Sequence, residues 1–167
     1  MKKGEHMEIS RAEYERILAE DQVACEQFTA TSAEVADAYY EAETVATEEC
    51  YEVNDDPIAA DDVPDFLARA MATAGYDPAD NHPPVLFDIE DESRWAGLVN
   101  EAGIHLHPKL TRPWILLHEL AHWLDPRAGH GTRWAHNYAA MVDGMLGTEA
   151  GARLRAEFDE RGLPHHW

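Results

Sequence analysis

Pro113-Trp114-Ile115-Leu116-Leu117-His118-Glu119-Leu120-Ala121-His122-Trp123-Leu124 is the most apolar stretch of the chain, and its reading decides the rest. Pro113 lacks a backbone N–H, which costs nothing in the first turn of a helix, and Asp125-Pro126 supplies a stop. The stretch is apolar on nearly every side, so the helix it predicts belongs inside the core. Two histidines and a glutamate are costly to bury there without a purpose. His118 and His122 stand four residues apart, so their imidazoles project from one face, one turn apart, and can share a tetrahedral ion. Glu119 follows the first histidine, where it reaches a water on the metal rather than the metal itself. The ion acidifies that water, and Glu119 can take its proton and later pass it to a leaving amine.

A hydrolytic site of this kind takes three protein ligands and one open position. His130 is the expected third ligand. Its loop is short enough to fold back on the helix, and Gly129 and Gly131 free the backbone to aim the ring. Glu149 and Glu157 stay open as replacements, although their acid-rich setting predicts solvent exposure. One catalytic Zn2+ is the expected cofactor, with iron or manganese open. His and Glu are common in this chain, so the five-residue pattern alone does not decide. The apolar helix around it and the glycine-framed third histidine sharpen it.

Downstream, Thr132 to Leu146 predicts a helix with Trp134, Tyr138, Met141 and Met145 on one face, ended by Gly147. Trp134 and Tyr138 would then pack under the site, and Tyr138 could donate to a developing oxyanion. His136 falls on the opposite side. A last helix runs from Glu149 to Glu160, and His165-His166 reads as a mobile tail. Upstream, Gly103 to Pro108 alternates like a half-buried strand. His105 and His107 share one face of it, as exposed polar positions or as substrate contacts. Val85 to Ile89 is a short strand, Trp95 to Val99 a weaker one, and residues 77–84 a turn-rich connector. Asp125 is either a plain helix stop or the carboxylate that orients a ligand histidine.

Residues 8–52 read as helical and acidic. Ser10-Arg11-Ala12-Glu13 and Thr31-Ser32-Ala33-Glu34 are helix starts, and Asn54 to Pro57 ends the region. A third helix opens at Asp61-Asp62-Val63-Pro64 and ends at Gly75. Residues 1–76 are thus an acidic helical region packed on or extending a metal-binding core of residues 77–167, the whole forming one compact domain.

The chain of 167 residues carries 33 acidic against 13 basic side chains, a formal charge of -20. That surface repels nucleic-acid phosphates and anionic lipid, so direct nucleic-acid contact is not expected. A solvated surface, salt adaptation or a basic partner would each account for the charge. No apolar run is long enough to span a membrane, and the N-terminus shows no leader pattern, which predicts a cytoplasmic protein. Cys25 and Cys50 are expected as free, partly buried thiols.

His118-Glu119-Leu120-Ala121-His122 followed by His130-Gly131-Thr132-Arg133-Trp134 resembles the zincin pattern of the SprT-like group. There a histidine before a glycine is the third zinc ligand, and an aromatic residue stands three positions after the glycine. More closely, Ile104 to Gly162 is similar to a family of small metallohydrolases from actinobacteria and their phages. The similarity lies in Ile104-His105-Leu106, Leu116 to His122, His130-Gly131 and Leu146-Gly147-Thr148-Glu149-Ala150. It covers about the last third of the chain. It implies a zincin-like α+β fold, one zinc held by His118, His122 and His130, Glu119 as base, and a hydrolase of unestablished substrate.

Together these readings predict an α+β protein. A small, mostly antiparallel sheet packs against the metal helix, with further helices at both ends. The expected activity is zinc-dependent cleavage of a peptide or other amide bond in a peptide or protein substrate. Two other classes stay open. One is a non-catalytic protein that keeps the metal for stability, regulation or binding. The other is a DNA-associated SprT-like protease, which the charge disfavours.

Overall fold

The computed structural model describes residues 32–49, 56–90, 96–125, 130–163 and 165. The expected first helix from Ser10, both cysteines, the stop at Asn54-Asp55, Trp95, the loop from Pro126 to Gly129, and His166 lie outside the described residues.

The fold is α+β, with six α-helices among the described residues and a small three-stranded mixed sheet. Helix α1 spans Ser32–Glu49. A 3-10 turn, Ala60–Asp62, leads into α2, Val63–Thr73. A four-residue helix α3, Pro78–Asn81, precedes strands β1 (Val85–Leu86), β2 (Gly97–Asn100) and β3 (Gly103–Leu106). Helices α4 (Pro113–Leu124), α5 (Thr132–Leu146) and α6 (Thr148–Glu160) complete the chain.

Val63, Phe66, Leu67, Ala70 and Met71 form the buried stripe of α2, one turn after another. Gly75 closes that segment with φ 82°, and Gly147 separates α5 from α6 with φ 105°. Nine of the twelve residues of α4 are buried, as a helix apolar on nearly every side requires. It lies between the sheet and the other helices, touching β2 and β3 on one side and α2 and α5 on the other. Gly144 lets α5 approach α2, since a methyl there would stand 2.6 Å from Thr73 Cγ2.

Helix α1 is built into the same core. Tyr39, Ala42 and Ala46 have no exposed surface and join one cluster with α2, α4, α5 and α6. The small Ala42 and Ala46 bring α1 close to α6, where Tyr39 meets Phe158 edge to face at 5.0 Å.

The sheet departs from expectation. Its order is β1-β3-β2, with β2 antiparallel to β3 but β1 parallel to it. The expected strand from Val85 to Ile89 pairs only over Val85–Leu86, although Ile89 N–H still donates to Leu106 O at 3.3 Å. Residues 77–84 hold a helical turn, because Asp77 accepts from Ala79 N–H at 2.9 Å and Pro78 has no N–H to satisfy. No described helix is long and apolar enough to cross a membrane.

Candidate metal centre

His118, His122 and His130 each bring a ring nitrogen within 4.8 Å of the other two. The four-residue spacing on α4 aligns the first two rings, and their Nε2 atoms stand 3.3 Å apart. His130 precedes α5, with Gly131 at the helix N-cap in an extended conformation, and its Nε2 lies 3.4 Å from that of His118. Trp134, one turn into α5 and fully buried, forms the floor. Its ring centroid is 5.0, 5.5 and 4.4 Å from those of His118, His122 and His130, and its Nε1–H donates to His118 O at 3.4 Å.

Helix α1 supplies the remaining wall. Tyr39 stacks on His130 at 5.7 Å, and Tyr40 stacks on His118 at 5.3 Å. Glu43 places Oε2 2.9 Å from His118 Nδ1, and its Oε1 accepts from Tyr138 O–H at 2.5 Å. No sequence pattern around Glu43 pointed to the site. Its one signal is helical spacing, since Tyr39, Tyr40 and Glu43 share a turn with Ala42 of the buried stripe.

Burial pushes the His130 imidazole down to about 2, helped by the neighbouring His118 and His122, so its ring stays neutral over the ordinary pH range. Burial lowers His118 as well, but the Glu43 carboxylate outweighs it and holds that ring above its usual value. Burial raises the Glu119 carboxyl to about 7, against the pull of His118 and with a further push from Glu43. Burial and Glu43 raise the Tyr138 hydroxyl well above its usual range. Glu119 is buried, and its side chain packs against the bare backbone of Gly97 on β2.

Other sequence candidates lie elsewhere. Glu157 is buried, against the expectation of exposure, because Arg153 and Arg161 both pair with it. Glu149 is exposed. Neither joins the histidine group. The strand histidines are not the exposed positions expected. His105 holds Asp88 Oδ1 at 2.9 Å and Asn100 Oδ1 at 3.0 Å, and His107 is buried, its Nδ1 accepting from Lys109 N–H at 3.1 Å. Asp125 is buried at the end of α4, its N–H donating to Ala121 O and His122 O. His136 is exposed, as its helical phase predicted. His165 is not a loose tail, since its ring pairs with Asp159 Oδ1 at 2.7 Å.

The donor set fits one small divalent ion. Two ligand atoms, each roughly 2.0–2.1 Å from a tetrahedral ion, stand roughly 3.3–3.4 Å apart. Those are the separations of His118 Nε2 from His122 Nε2 and His130 Nε2. When His118 Nδ1–H donates to Glu43, its Nε2 carries the lone pair that an ion needs. No protein-family model matches the chain, and neither a curated protein nor a solved structure shows significant similarity to it.

Proposed function

We propose that the protein is a zinc-dependent hydrolase that cleaves a peptide or other amide bond, with a peptide or protein as substrate. The observation that carries this reading is the spacing of His118 Nε2 from His122 Nε2 and from His130 Nε2, two separations that match edges of a tetrahedral coordination shell. Three neutral nitrogen donors favour zinc over magnesium or calcium, which take oxygen. Three protein ligands also leave one position for a reactant.

A divalent ion in this place supplies Lewis acidity, polarising a carbonyl and acidifying a water. The chain's residues do the remaining work. His118, His122 and His130 hold the ion, and Trp134 beneath them keeps the rings from turning. Glu119 is the proton carrier. As base, it would take a proton from the attacking water and pass it to a departing amine. The apolar walls of α4 limit competing water.

Elemental analysis of the purified protein, beside His130→Ala and Glu119→Gln, tests the reading. Near-stoichiometric zinc is expected in wild type and in Glu119→Gln, with loss in His130→Ala. Hydrolysis of a peptide library is expected in wild type alone. Wild type without zinc would refute the metal centre. Zinc without hydrolysis would leave a binding or regulatory protein.

A further inference from the structure

Glu43, on a helix that carries none of the three histidines, brings a carboxylate to a ring of the candidate metal centre. Its two oxygens are divided between two donors. Oε2 faces His118 Nδ1 at 2.9 Å, and Oε1 accepts from Tyr138 O–H at 2.5 Å. The carboxylate is enclosed, its side chain 15% exposed, and His118 beside it is 7% exposed. Tyr138 is fully buried and lies on α5, the helix that also carries Trp134. Three helices thus meet in one hydrogen-bonded chain, from Tyr138 on α5 through Glu43 on α1 to His118 on α4.

This geometry can act on a metal in two ways. Acceptance from Nδ1–H selects the tautomer whose Nε2 lone pair faces His122 and His130. A carboxylate in that place also makes the imidazole a stronger donor. Tyr138 holds Glu43 by its other oxygen, so the carboxylate cannot rotate away without losing a bond. We infer that Glu43, clamped by Tyr138, is a positioning residue for the metal, and that α1 is therefore part of the metal centre rather than an appendage to it. The inference rests on the proposed metal site.

The test measures zinc affinity by competition with a chromogenic chelator, on the full chain, for wild type, Glu43→Gln, Glu43→Ala and Glu43→Asp. Glutamine keeps the shape but offers one oxygen and one N–H2, so it can accept from His118 or from Tyr138 but not from both. Glu43→Gln and Glu43→Ala are expected to bind zinc about 10- to 100-fold more weakly, with part of the loss recovered in Glu43→Asp. The same coupling runs in reverse. Zinc should slow amide exchange along residues 32–49 in wild type and do so less in Glu43→Gln. If Glu43→Ala does not fold, the isosteric glutamine variant carries the test. Wild type that binds zinc, with Glu43→Gln folded and binding as tightly, overturns the inference alone. Wild type that takes up no zinc overturns the metal reading as well.

Discussion

Gly97 of β2 stands against Glu119 of α4 so closely that a methyl on Gly97 would lie 2.6 Å from Glu119 Cγ and 2.7 Å from its Oε1. Only bare backbone leaves the carboxylate where it is. The strand and the helix are thereby set at a distance that a single carbon would disturb, and the residue that would move is the proposed base. Gly97→Ala is expected to keep zinc near stoichiometric, since none of the three imidazoles is touched, while peptide hydrolysis falls by roughly 100-fold, as when a positioned group is displaced by about an ångström. Elemental analysis beside a turnover assay reads both. Unchanged turnover would show that Glu119 does not act from its present place.

The raised carboxyl of Glu119 carries a stability cost in the metal-free protein, and its sign is fixed. The folded state holds the proton up to about pH 7, whereas an unfolded glutamate releases it near the ordinary value of 4.5. Below that lower value both states are protonated and the cost is absent. It grows through the window between the two values and is fully present above about pH 7. A shift of this size corresponds to an upper figure of about 3 kcal/mol. Metal-free Glu119→Gln should therefore gain stability over wild type as pH rises from 5 to 8, with little difference at the acid end. Urea titrations of the two proteins across that range check it, and a gap that narrows with rising pH would contradict the assignment.

Trp134 lies within 5.5 Å, centroid to centroid, of all three imidazoles. Its fluorescence should report metal uptake, with a paramagnetic ion such as Co2+ quenching it strongly. Trp134→Phe should remove most of that quenching while the other tryptophans continue to emit. The variant also loses the indole donor to His118 O, at a cost of about 1 kcal/mol, whereas Trp134→Ala opens a cavity worth about 3–5 kcal/mol. Quenching of equal depth in Trp134→Phe would place the ion elsewhere.

Glu157 tests the choice of third ligand. Its carboxylate is 2% exposed and is taken up by Arg153 and Arg161 on either side of it along the helix. Glu157→Gln should keep its zinc and lose about 1–3 kcal/mol of stability, because two partly buried guanidinium groups lose a charged acceptor. Loss of zinc from this variant at wild-type stability would move the third ligand from His130 to Glu157.

The helices were the most legible part of the chain. The predicted limits of α4, Pro113 and Leu124, and of α5, Thr132 and Leu146, are those observed, because proline and glycine punctuation and apolar periodicity act within a few residues of each boundary. The meeting of His118, His122 and His130 was legible for the same reason. Four-residue spacing aligns two rings by helix geometry alone, and the third histidine stands only eight residues beyond His122 in the chain. Short strands were less legible. Val85 to Ile89 has the composition of a longer strand, but its pairing depends on where β3 lies, and that placed it parallel over two residues.

What sequence alone determined is therefore local: where the helices begin and end, which face of each is apolar, and which histidines share a side. What only the tertiary structure decided is which distant groups face one another. Glu43 lies 75 residues from His118 and 95 from Tyr138, and Glu157 is turned to its arginines rather than to water. No spacing rule reaches across such separations. Those partners are chosen by how α1 and α6 settle on the shared core, where burying Tyr39, Ala42, Ala46 and Phe158 sets the position of every polar group they carry.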